Sequence, residues 1–115
     1  MNDKKKILEQ TKLFVLDMDG TFYLGDQILP GAADFLKAVE QAGKQYLFFT
    51  NNSSRSPRDY MAKLAKMGCP ITRDQIMTSG DVTIRYLQTH YPEKTVYLVG
   101  TPPLMESFEE AGIHL

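Results

Sequence analysis

The apolar positions of this chain alternate between short unbroken runs and segments with a single apolar face. Leu13 to Leu16, Tyr46 to Phe49 and Val96 to Val99 are four-residue apolar runs, and Ile76-Met77 is a briefer one. Their continuity predicts strands covered on both faces. Between them, Ala32, Phe35, Leu36 and Val39 fall at i, i+3, i+4 and i+7, which predicts a helix that Gly43 is placed to end. Tyr60, Met61, Leu64 and Met67 make the next apolar face. Ser56-Pro57 opens that helix as an N-cap followed by a first-turn proline, and Gly68 stops it. A third helix runs from Ser79-Gly80-Asp81 to Tyr91-Pro92. A fourth follows Gly100-Thr101-Pro102 and ends near Gly112, before Ile113-His114-Leu115, which reads as the start of a strand. Phe22-Tyr23-Leu24 and Gln27-Ile28-Leu29 flank Gly25-Asp26, so residues 22–29 predict a small hairpin with a two-residue turn. Residues 1–11 read as a tail.

Strands separated by helices of this size indicate βαβ units, hence an α/β fold with a Rossmann-like parallel sheet flanked by helices and right-handed crossovers. A length of 115 residues predicts one domain with a modest core. The net charge of −1 gives no electrostatic case for a nucleic acid polymer or a membrane surface. Lys4-Lys5-Lys6 is followed by no signal-peptide segment and reads as solvated, and no apolar stretch approaches a membrane span. One cysteine, Cys69, excludes an internal disulfide and fits a reducing, cytoplasmic compartment. Placed between Gly68 and Pro70, it reads as a small, partly buried residue. Met61, Met67 and Met77 read as core fillers, and His90 and His114 as isolated surface or structural residues.

The chemistry concentrates where the first strand ends. Asp17 and Asp19 are two residues apart, and residues i and i+2 of an extended segment project to one side. In an open α/β sheet the ligand crevice lies outside the carboxyl ends of the strands. One carboxylate can attack phosphorus and carry an aspartyl-phosphate. The other can protonate the leaving oxygen and then deprotonate a water. Two acids need a cation before an anionic ester approaches, and such oxygen ligands suit Mg²⁺. Gly20 allows a tight turn beside the ligand and Thr21 adds a hydroxyl. Thr50 and Asn51 end the next predicted strand, where a hydroxyl and backbone N–H groups can bind phosphate oxygens. The bland readings are a solvated Asp/Gly turn for the first group and a turn or helix cap for the second. A calcium loop starting at Asp17 fails, because Phe22 and Ile28 occupy the positions that need glycine and glutamate. Arg55 and Arg58 read as solvated or phosphate-steering.

Asp17-Met18-Asp19-Gly20-Thr21 and Thr50-Asn51-Asn52-Ser53 resemble the first and second motifs of the haloacid dehalogenase (HAD) superfamily. Leu29-Pro30-Gly31, Phe48 to Ser54, Thr78-Ser79-Gly80 and Leu98-Val99-Gly100-Thr101 resemble its NagD-type, p-nitrophenylphosphatase-like branch. The resemblance implies that Asp17 is the nucleophile and a Mg²⁺ ligand. It implies that Asp19 is the general acid/base, with its backbone carbonyl also on the metal, and that Thr50 binds phosphate with the N–H of Asn51. Residues 22–29 match the flap. The implied activity is Mg²⁺-dependent hydrolysis of a small phosphorylated metabolite, such as a sugar phosphate or nucleotide. The family also uses a later lysine, a later acidic motif and an inserted cap domain. None of these is matched here, so residues 1–115 are expected to form the N-terminal part of an incomplete HAD-like core, with cap and second half absent. The first strand would then have an open edge prone to self-association. The alternative is a non-catalytic phosphate-binding or assembly fragment of the same fold. A receiver domain is disfavoured, because no acceptor Asp ends Val96 to Val99. A dehalogenase is disfavoured too, because an acid at position 19 serves an ester leaving oxygen and is unnecessary for a halide.

Overall fold

A computed structural model describes residues 2–115. The chain divides into two compact units, one up to Phe48 and one from Phe49 onward. Among the described residues, five strands, β1 (Leu13–Leu16), β2 (Tyr23–Leu24), β3 (Gln27–Ile28), β4 (Gln45–Thr50) and β5 (Ile76–Thr78), form a three-stranded sheet of order β1-β4-β5 and a two-stranded ribbon of β2 and β3.

The first unit opens with α1 (Asn2–Gln10), so the segment expected as a tail is helical, and residues 3–10 are exposed along it. Lys44 ties it down by donating from Nζ to the carbonyls of Leu8 and Glu9 at its C-terminal end. β1 (Leu13–Leu16) pairs in parallel with β4 (Gln45–Thr50), from Leu13 opposite Gln45 to Leu16 opposite Phe48. Both strands therefore run out at the same end. The expectation that β1 is covered on both faces is corrected. Phe14 and Leu16 are half-buried, but Leu13 and Val15 are 50% and 60% exposed. β1 lies at the end of the strand order, with β4 on one side only. An apolar run is compatible with two covered faces but does not create the second cover.

The hairpin forms as expected: β2 (Tyr23–Leu24) pairs antiparallel with β3 (Gln27–Ile28) around Gly25-Asp26. α2 (Ala32–Gln41) buries Leu36 and Val39. With Met18, Phe22, Tyr23, Tyr46 and Phe48 they supply the core of this unit. Phe22 meets Phe48 edge-on at 4.9 Å, and Phe14 meets Phe35 at 5.5 Å. Each such side chain contributes about 1.5–3 kcal/mol when fully buried.

The second unit holds the end of β4, α3 (Pro57–Lys66), β5 (Ile76–Thr78), α4 (Ser79–His90) and α5 (Pro102–Glu110). Its helices start where side chains satisfy their free N–H groups. Asp59 N donates to Ser56 Oγ and Ser56 N to Asp59 Oδ2, both at 3.2 Å. Thr78 and Asp81 make the same reciprocal pair at 3.1 and 3.0 Å, so Thr78 is the cap and Ser79 the first helical residue. Tyr60, Leu64, Ile76 and Phe108 form the core. Cys69, Met61 and Met67 are half-buried, whereas Met77 is exposed and is no core filler.

The strand expected at Val96 to Val99 is also corrected. Among the described residues only a single bridge, Thr95 to His114, forms there, with Val96 N donating to His114 O at 2.7 Å. Tyr97 and Val99 are 93% and 86% exposed. A ladder needs a neighbour that offers donors and acceptors residue after residue, and His114 offers one residue's worth.

Candidate active site

In the first unit, β1 runs directly into a turn wound around one carbonyl. The oxygen of Met18 accepts from the N–H groups of Thr21, Phe22 and Tyr23 at 3.1, 2.8 and 3.2 Å, and Gly20 N donates to Tyr23 O at 2.8 Å. Gly20 has φ of 78°, the left-handed conformation that a side chain disfavours. Met18 is 1% exposed, while Asp17 and Asp19 on either side of it are exposed. The buried methionine thus anchors the turn and holds both carboxylates out, which is the alternation expected at an extended strand end. Thr21 Oγ1 lies 3.5 Å from Asp17 Oδ2, at the outer limit of a hydrogen bond. Among the described residues, neither carboxylate is engaged in an ion pair.

In the second unit, Thr50 closes β4 and is buried, and the exposed residues Asn51 and Asn52 follow it. Asn52 N donates to Thr50 Oγ1 at 3.1 Å, which fills an acceptor site and leaves the hydroxyl proton free to donate elsewhere. Asn52 Oδ1 accepts from Ser54 N and Ser54 Oγ at 3.0 and 2.6 Å, closing an Asx turn. Three hydroxyls from three helix starts then grip the loop's carbonyls. Tyr60 donates to Asn52 O at 3.2 Å, Ser79 to Asn51 O at 3.0 Å and Thr101 to Ser54 O at 2.7 Å.

No group of three or more His, Cys, Asp or Glu side chains that could hold a metal occurs among the described residues. Two hard carboxylates are nevertheless a donor set that fits Mg²⁺, which takes one or two carboxylates and completes its shell with water and substrate phosphate. A cleft of about 630 Å³ in the second unit is lined by Arg58, Arg73, Asp81, Glu106 and Glu110 among others, and includes neither Thr50 nor Asn51. Two ion pairs lie along it, Arg58 to Glu110 at 3.5 Å and Arg73 to Asp81 at 2.8 Å. The Arg58 side chain is 76% exposed, in keeping with the solvated reading, and its surface pair with Glu110 is a weak one.

Residues 14–114 match the model of the haloacid dehalogenase-like hydrolase family. The chain belongs to that family. A 5'-nucleotidase, YutF, from Bacillus subtilis is 32% identical over 102 residues, covering 89% of this chain and 40% of the relative. An acid sugar phosphatase from Staphylococcus saprophyticus is 31% identical over 108 residues, covering 94% and 42%. The crystal structure of a 4-nitrophenylphosphatase from Thermotoga maritima superposes with a TM-score of 0.91 at 41% identity, over 95% of this chain and 42% of that one. The chain thus spans about two fifths of the length of the relatives it matches. Membership makes this a hydrolase-family α/β fold with phosphatase-named relatives.

Against this HAD-like frame, the motif residues sit where the pattern of strands and turns placed them. Asp17, Asp19, Gly20 and Thr21 form one turn, and Thr50 and Asn51 form one strand end. Sequence reasoning missed the grip of Tyr60, Ser79 and Thr101 on the second motif's loop. Thr101 reads as a helix cap, and it is one, accepting from Leu104 N at 3.4 Å. That local role explained the residue fully and concealed its second bond. The available signal was that Ser79 and Thr101 lie in the two stretches that resemble the NagD-type branch.

Proposed function

We propose that this chain carries the nucleophile and first phosphate clamp of a Mg²⁺-dependent phosphomonoester hydrolase. The supporting observation is the Met18-anchored turn that presents two exposed carboxylates, neither in an ion pair among the described residues, at the end of β1, in a chain of HAD-like ancestry. Asp17 attacks the phosphorus of the ester and forms an aspartyl-phosphate as the ester P–O bond breaks. Asp19 gives its proton to the departing alkoxide. A water then attacks the phosphoryl group, yields its proton to the Asp19 carboxylate and releases inorganic phosphate, which restores the Asp17 carboxylate and the Asp19 carboxylic acid. Thr50 donates its free hydroxyl proton to a phosphate oxygen, and the N–H of Asn51 donates to another. Gly20 and Thr21 support the turn. Asp17 through its carboxylate and Asp19 through its backbone carbonyl would hold Mg²⁺, which would supply charge neutralisation for the anionic ester.

The substrate class is a small phosphorylated metabolite of the sugar phosphate or nucleotide kind, after the relatives named for such substrates. The lone, half-buried cysteine fits a cytoplasmic setting. No helix among the described residues is long and apolar enough to cross a membrane. Residues 1–115 act as the N-terminal part of a HAD-like core, to which a cap and a second half contribute the lysine, the further acid and the substrate selection. The 115-residue chain by itself self-associates through the open edge of β1 and behaves as a phosphate-binding fragment.

Asp17→Asn keeps shape and removes the nucleophile. In a longer polypeptide that also carries the cap and the second half of the core, it should lower Mg²⁺-dependent hydrolysis of p-nitrophenyl phosphate by more than about a thousandfold. Turnover near that of the parent protein would refute the assignment.

A further inference from the structure

We infer that Ser79, with Tyr60 and Thr101, is a positioning residue for the phosphate clamp, acting through the backbone of the Asn51 to Ser54 loop. The inference rests on the phosphatase reading, because it concerns how Thr50 and the Asn51 N–H are held ready for phosphate.

The loop after β4 is short of regular partners. Its N–H groups at Asn52 and Ser54 are taken by Thr50 Oγ1 and Asn52 Oδ1, bonds that lie within the loop and its strand end. Its fixed position must come from elsewhere. The carbonyls supply it: those of Asn51, Asn52 and Ser54 each accept from a hydroxyl that belongs to a different helix start. A peptide unit is planar, so pinning the carbonyl of Asn51 also fixes the direction of the Asn52 N–H. That N–H is the one that sets the Thr50 hydroxyl to donate outward. Ser79 therefore reaches Thr50 through one rigid amide.

Ser79 is the most informative of the three. It is half-buried, its hydroxyl caps no helix, and its bond spans 28 positions of sequence. Thr78, next to it, already does the capping. A serine that only needed to start a helix would have no reason to face the preceding strand's loop. The neighbouring glycine lies buried between α5 and the loop. A Cβ on Gly80 would lie 3.0 Å from Leu104 Cδ1, 3.3 Å from Thr78 Oγ1 and 3.7 Å from Ser53 Cβ. The start of α4 is thus in ordinary contact with the loop at Ser53, and a side chain at position 80 would crowd Leu104 and the Thr78 cap.

The test uses the full chain with magnesium chloride present and inorganic phosphate as the probe, followed by shifts of the Asn51, Asn52 and Ser53 amides in NMR. Ser79→Ala should weaken phosphate binding about three- to tenfold, the loss typical of one positioning hydrogen bond. Ser79→Thr, which restores the donor, should return it to within about twofold, and the thermal midpoint of both should stay near the parent value. Rescue by threonine separates positioning from mere loss of packing. Tyr60→Phe keeps the buried ring, removes only the hydroxyl and should show a loss of the same size, which also decides the matter if Ser79→Ala does not fold. If the parent chain responds to phosphate and these variants bind it equally well, the inference is wrong while the phosphatase reading stands. If the parent loop does not respond to phosphate at all, both fall together.

Discussion

Gly20 shows how much of the candidate site rests on single residues. Its φ of 78° lets the chain turn back so that three N–H groups meet the Met18 carbonyl. A Cβ there meets no neighbour, so replacement is opposed by backbone strain alone and not by crowding. Gly20→Ala should destabilise the chain by about 1–2 kcal/mol, read from the urea midpoint at an unchanged slope. The acid pair was legible in the sequence for a local reason. Two-residue alternation at a strand end is decided by the residues themselves, and the buried methionine between the acids reinforces it. Ser79 and Thr101 were not legible as loop anchors, because their partners lie 28 and 47 positions away. Only the tertiary fold brings such groups into reach.

Among the elements, the same division between local and non-local causes explains which expectations held. The helices of the second unit were readable because their starts are written in neighbouring residues: Ser56 before Pro57, Asp81 after Ser79-Gly80, and Thr101 before two prolines, although the cap of α4 is Thr78, one residue before the expected start. Such caps act within one turn, so a sequence pattern contains the whole interaction. Ser56→Ala should therefore cost about 1 kcal/mol, seen as a lowered thermal midpoint by circular dichroism, because it removes the acceptor for Asp59 N and half of a reciprocal pair. Strands are different. Val96 to Val99 has the composition of a buried strand, yet Tyr97 and Val99 face solvent because one bridge does not make a ladder. α1 was overlooked for the converse reason. A polar, lysine-rich segment carries little apolar periodicity, and its visible anchor, Lys44, is 35 and 36 positions away from the carbonyls it holds.

For the molecule as a whole, the open side of β1 is the dominant feature. Leu13 and Val15 present apolar surface beside a row of backbone groups that no strand pairs among the described residues. Edges of this kind invite pairing between chains, and a charge placed on them is the natural deterrent. Sedimentation velocity of the 115-residue chain should show association that grows with concentration. Val15→Lys should shift it toward monomer with little change in helix content, and a parent chain that stays monomeric throughout would refute the edge as the cause. The exposed stretch around Tyr97 has a different consequence, for chain connectivity. It is nearly bare of backbone bonds, yet it is followed by α5, which buries Phe108 and reaches back through Thr101 to Ser54. Chymotrypsin should cut first after Tyr97. The two pieces should still co-migrate on a native column, because what holds α5 in place is its packing and not the covalent link, so this position is a natural junction for reassembling the protein from two separately made fragments.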